Sequence, residues 1–137
     1  MKQLKILFLD DDLERHKQVR SLMTYDAAYT VKDATDLLQK NEYDLVFLDH
    51  DLGGLQMVES EGPEETGYTV AKWMVEHKPV VEDVVLHSLN PGGSANQLSA
   101  LKSHYNVTRM PFTRFFGTGQ WLSQFLKKVT EELNDPA

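Results

Sequence analysis

Three short clusters carry most of the residues that could do chemistry: Asp10-Asp11-Asp12, Asp49-His50-Asp51 and His87-Ser88-Leu89-Asn90-Pro91. Five carboxylates brought to one place repel one another unless protons or a cation intervene. Oxygen-rich sites of this type suit Mg²⁺ or Mn²⁺, which take one or two carboxylates and keep several waters. Asp11 and Asp49 are the expected direct ligands, Asp10 lies behind them or bridges through water, and Asp51 is a further candidate. Asp12 is better used as the N-cap of a following helix, and the plainer reading of the others is solvated acids at strand ends. His50 and His87 are a pair of imidazoles that could act as general acid and base beside a phosphate, or could simply orient an aspartate. Ser88, Asn90, Gly92, Gly93 and Ser94 form a small-residue loop opening a helix, where backbone N–H groups attract phosphate oxygens. Asn90-Pro91 reads equally as a turn initiator.

The elements must bring these clusters together. Apolar runs of strand length (4–9, 29–31, 45–48, 84–86 and a poor strand from Val107) alternate with segments of helical period. The helices are expected at 13–23, capped by Asp12, then from an Asp33 cap through Leu38, at 67–77, at 91–105, and through Trp121 to Leu133. This alternation predicts an α/β, flavodoxin-like, doubly wound five-stranded parallel sheet of order 2-1-3-4-5 with five helices. Ligands then bind outside the carboxyl ends of the strands, at the switch in strand order between the first and third, and all three clusters fall there. Residues 50–66 are too long for an ordinary connection. Their Glu59, Glu61, Glu64 and Glu65 read as a solvated surface, or else the segment is a lid. His16, His77 and His104 are expected at the surface, and Trp73, Trp121 and Phe125 in the core.

Composition narrows the function classes. At 137 residues the chain suits one domain, expected over 1–133 with a tail at 134–137. With no cysteine it excludes zinc–cysteine sites, thiol nucleophiles and disulfides. A net charge of −7 argues against long nucleic-acid contacts but leaves room for a local phosphate pocket. Arg15, Lys102, Arg109 and Arg114 are the available cations. No apolar stretch is long enough for a membrane span, and a cytoplasmic location is expected.

The chain resembles the receiver domains of two-component signalling. Lys5 to Asp12 resembles their first strand and acidic pair, Asp49 their phosphoacceptor, and Ser88 their hydroxyl after the fourth strand. The resemblance implies that Asp10 and Asp11 help hold Mg²⁺, Asp49 accepts phosphate and Ser88 contacts the phosphoryl group. Receivers carry a Lys-Pro pair after the fifth strand, whereas here Met110 precedes Pro111; Arg109, one residue earlier, should point to the other face. These departures are similar to a narrower group, the cyclic-phosphate processing receiver-like domains, through Leu48-Asp49-His50-Asp51-Leu52-Gly53-Gly54, Thr66-Gly67-Tyr68 and the His87–Pro91 segment. That similarity implies a metal-dependent cyclic phosphodiesterase acting on a cyclic nucleotide or an RNA 2′,3′-cyclic phosphate end, in RNA repair or bacteria–phage conflict. Its catalytic candidates are His50, His87 and Asp49. The alternatives are a divergent receiver that signals through a protein partner, and a non-catalytic module that binds cyclic nucleotides or RNA ends.

Overall fold

Two uninterrupted runs of buried residues establish the sheet: β1 (Ile6–Leu9) and β3 (Tyr43–Leu48), apolar except for Asp44. Strands hidden on both faces read in this way because helices cover them above and below. The computed structural model describes residues 3–54, 56–113 and 120–133; Arg114 and the tail at 134–137 lie outside them. β2 (Asp26–Ala28), β4 (Val81–Leu86) and β5 (Asn106–Arg109) complete a parallel sheet of order β2-β1-β3-β4-β5. The predicted strand order is the observed one.

Two cores follow from the alternation of side chains along each strand. On one face, Leu7, Leu9, Val46, Leu48, Val84 and Leu86 pack under α2 (Val31–Lys40), α3 (Gly67–His77) and α4 (Pro91–Leu101). On the other, Ile6, Phe8, Leu45, Phe47 and Val85 meet α1 (Leu13–Arg20) and α5 (Gln120–Leu133) through Val19 and Leu122. Each fully buried Leu or Phe contributes about 1.5–3 kcal/mol. Trp73, Trp121 and Phe125 pack against these cores as expected.

Register decides where the chemistry lands. Leu9 pairs with Leu48, Leu48 with Leu86, and Leu86 with Arg109. One residue further on, Asp10, Asp49, His87 and Met110 therefore form a row, continued by Asp49 N–H on Leu9 O at 3.0 Å and His87 N–H on Leu48 O at 3.1 Å. They share the face of Phe8, Phe47 and Val85.

Three local expectations need correction. The second strand ends at Ala28 instead of occupying 29–31, because Thr30 is the cap of α2: its hydroxyl accepts from Asp33 N–H at 3.1 Å. Asp33 sits inside the first turn and accepts from Tyr29 N–H instead. His16 is fully buried, unlike exposed His77 and His104. Its Nε2 donates to Asp10 O at 2.8 Å, and the Tyr25 hydroxyl, which donates to His16 O at 2.9 Å, lies 2.9 Å from Nδ1.

Candidate functional site

Asp10 is fully buried at the end of β1, where its carboxylate is held on three sides. Oδ1 accepts from Asp12 N–H at 2.9 Å, and Oδ2 from His87 Nε2 at 2.9 Å and Arg15 Nη1 at 3.0 Å. Burial opposes its ionisation, but the hydrogen bond and charge of His87, the Asp12 N–H and Arg15 together hold its pKa below the usual value. His87 is fully buried as well, stacked on Phe8 at 4.8 Å between ring centroids.

Asp49 is the next in the row. Burial, reinforced by the charge of Asp10 and countered by His87 and Arg15, pushes its pKa up to about 7. Its Oδ1 accepts from His50 N–H at 2.9 Å, while Oδ2 lies 3.5 Å from Arg15 Nη1. Asp10, Asp49 and His87 each offer a ligand atom, all within 4.8 Å of one another.

Arg15 is the cation at this site that sequence reasoning left unplaced. Asp12 caps α1 by accepting from Glu14 N–H at 2.8 Å and Arg15 N–H at 3.2 Å. The cap fixes Arg15 in the first turn, from which its guanidinium reaches back over the strand ends and rests on the Phe112 ring, 5.5 Å from the centroid. The legible signal was a cation three residues after a strand-end helix cap. Met110 occupies the row position on β5, so the cation comes from α1 instead; Arg109 turns away to Pro91 O.

A cleft of about 380 Å³ opens above this row. It is lined by Asp11, Asp12, Arg15, Asp49, Ser88 and Leu89 from the strand ends and α1, and by Asp51, Gly54, Gln56 and Met57 from the loop after β3. Asp11 accepts from Gly54 N–H at 2.6 Å, a contact that uses the left-handed backbone of that glycine (φ 78°). Ser88 accepts from Asn90 N–H at 3.0 Å, leaving its own hydroxyl hydrogen available for donation.

The remaining sequence candidates lie on the loop wall, where Asp51 lines the cleft, and at the start of α4. Asp51 accepts from His50 Nδ1, Asn90 Nδ2, Met57 N–H and Val58 N–H, at 2.7–3.1 Å. A carboxylate only accepts, so Nδ1 of His50 carries its hydrogen and Nε2 receives the Ser60 hydroxyl at 2.8 Å. Asn90 Nδ2, 3.4 Å from His50 Nδ1, is then a contact between two donors. Asn90 also caps α4, accepting from Gly93 N–H at 3.0 Å. Gly93 is glycine because any Cβ there would collide with the His50 ring, while one on Gly92 would meet only Asn90 Oδ1 at 3.7 Å. Ser94 is buried and donates its N–H to Asn90 O. The loop after β3, described over 51–54 and 56–66, is pinned where Gly67 N–H meets His50 O at 2.8 Å, and its Glu59, Glu61, Glu64 and Glu65 are exposed.

The donor set suits a divalent cation: Asp10, Asp49 and His87 offer ligand atoms within 4.8 Å of one another, and Asp11 lines the cleft beside Asp49. Comparison with known proteins agrees with this topology. The sequence profile described as "Cyclic-phosphate processing Receiver domain" matches residues 5–103. The chain belongs to that family. No curated protein matches this receiver domain by sequence. Among solved structures it is similar to a two-component response regulator from Clostridium difficile, at 21% identity and TM-score 0.68 over 97% of this chain and 100% of that one. It is also similar to response regulator protein TrrA from Thermotoga maritima, solved with Mg²⁺ and BeF, at 20% identity and TM-score 0.61, over 93% and 99%. The response regulator domain of CheB from the same organism aligns at 15% identity and TM-score 0.64, over 99% and 100%. Among the described residues no helix is long and apolar enough to cross a membrane.

Proposed function

We propose that this receiver domain binds and hydrolyses a cyclic phosphate, on a nucleotide or at an RNA 2′,3′-cyclic end. The observation that carries the reading is that one cleft is lined both by carboxylates, Asp11 and Asp49, and by the donors Arg15 and Ser88, with Arg15 Nη1 3.5 Å from Asp49 Oδ2. A phosphate ester accompanied by Mg²⁺ or Mn²⁺ needs both. Asp11 and Asp49 would hold the ion with Asp10 behind them, and a bound ion would supply a Lewis acid for a phosphoryl oxygen.

Arg15 stabilises the charge that grows on the phosphoryl oxygens, and Ser88 donates a hydrogen bond to one of them. Water adds to phosphorus, one ester bond breaks, and the departing ribose oxygen takes a proton, leaving a monoester. His87 is buried with its Nε2 on Asp10 Oδ2, so its part in proton transfer runs through that carboxylate. His50 supports the loop that forms the other wall.

The test is ³¹P NMR of the protein with 2′,3′-cyclic and 3′,5′-cyclic nucleotides, with Mg²⁺ or Mn²⁺ and again with EDTA. A metal-dependent monoester signal, reduced at least 10²-fold in His87→Ala and Asp49→Ala, is expected. Binding without turnover would make the domain a recognition module. A second reading, phosphoryl transfer to Asp49, is favoured by that residue's place at the end of β3 beside Ser88. It predicts an adduct at Asp49 in the intact mass after acetyl phosphate treatment, and signalling through a protein partner.

A further inference from the structure

The loop wall of the cleft contains an anomaly. Met57 sits in the left-handed region (φ 52°), where glycine or asparagine costs less, and its side chain is 63% exposed. A bulky apolar residue held in a disfavoured backbone with its side chain in water gains nothing for the fold. The backbone is clamped there: Asp51 Oδ2 accepts Met57 N–H at 2.7 Å, and Asn90 Nδ2 donates to Val58 O at 3.0 Å. Leu89, 44% exposed, lies on the same cleft, and Gln56 adds an amide beside Met57. The cleft volume of about 380 Å³ equals roughly a dozen waters, far more than a phosphoryl group needs. It lies within the range of pockets for organic ligands.

We propose that Met57 and Leu89 are the two jaws of a subsite that grips the planar base of a nucleoside phosphate. Its phosphoryl end is then at Arg15 and Ser88, so the inference rests on the phosphate reading of the cleft and adds the chemistry of the organic half. A polarisable thioether packs well against the face or edge of an aromatic ring, and a leucine closes the other side. The Gln56 amide can donate to or accept from ring edges.

The experiment labels the methionine methyls with ¹³C and titrates the protein, in Mg²⁺, with adenosine 2′,3′-cyclic monophosphate, glycerol phosphate and inorganic phosphate. The expected result is an upfield ring-current shift of the Met57 methyl with the nucleotide alone. Met57→Gly, which suits the left-handed backbone, should weaken nucleotide binding about three- to tenfold and leave inorganic phosphate binding unchanged. If all three ligands bind with equal affinity and the Met57 methyl stays in place, the base subsite is overturned while the phosphate site stands. If none binds, the phosphate reading itself fails and the subsite goes with it.

Discussion

Arg15 Nη1 lies 3.0 Å from Asp10 Oδ2, and that one ion pair couples the first turn of α1 to the end of β1. The same nitrogen stands 3.5 Å from Asp49, so one guanidinium offsets two carboxylates that the register forces side by side. Removing it leaves both acids facing each other in a buried row. Arg15→Met should therefore lower stability by about 1.5–3 kcal/mol in urea denaturation near neutral pH. Arg15→Lys should recover part of that loss, since a point charge can serve one carboxylate but not bridge as well. Equal midpoints for the wild type and Arg15→Met would show that the pair is solvated and idle.

The raised pKa of Asp49 has a sign that can be read in the stability curve. A carboxyl whose pKa is about 7 in the fold and near 4 in the unfolded chain binds its proton more tightly when folded. Its contribution therefore favours the fold at low pH and is lost as pH rises from about 4 through 7. Asp49→Asn keeps the shape and abolishes this term. In EDTA it should be more stable than wild type at pH 8, by up to about 4 kcal/mol. The advantage should shrink steadily toward pH 5. A variant equally stable or less stable at pH 8 would mean that Arg15 and His87 already neutralise the charge.

Most of the scaffold was legible because apolar runs and helix caps are local signals. The continuous burial of β1 and β3 announced a covered parallel sheet, and strand order followed from the alternation of elements. The convergence of Asp10, Asp49 and His87 was legible for the same reason, since strand ends at a switch in order must meet. The second strand and the cap of α2 were misplaced by three residues, and three further features were not legible. His16 reads as a surface residue on helical periodicity, and only tertiary contacts show it donating to Asp10 O. The placement of Arg15 depends on how α1 leaves the sheet. The retreat of His50 into a bond with Ser60 depends on a long loop folding back, which no periodicity encodes.

The glycine pair after Pro91 gives a clean contrast between a packing role and an anion seat. Gly93→Ala must drive a methyl into the His50 ring, so a loss of about 1–3 kcal/mol is expected from overpacking. Gly92→Ala meets ordinary contact distance in the first turn of α4, and should be neutral or slightly stabilising. Thermal unfolding of the two variants separates the readings. If Gly92→Ala also abolished phosphate binding without loss of stability, close backbone approach to an anion would be the reason for that glycine.

The loop wall offers the most local prediction. Among the described residues Asp51 Oδ1 takes three donors while Oδ2 takes one, Met57 N–H. In Asp51→Asn the single remaining oxygen keeps the crowded position, and the new amide group turns a second donor toward Met57 N–H. The Met57 amide should then exchange with solvent about tenfold faster or more, while Val58, still bonded at the oxygen, changes little. Native-state hydrogen exchange followed by NMR reads both amides in one experiment. Equal acceleration at the two positions would mean that the whole 56–58 segment opens as a unit, and no change at either would show that Asp51 does not hold the loop. Selective loss at Met57 would establish that a carboxylate beside the cleft holds this residue in its left-handed backbone.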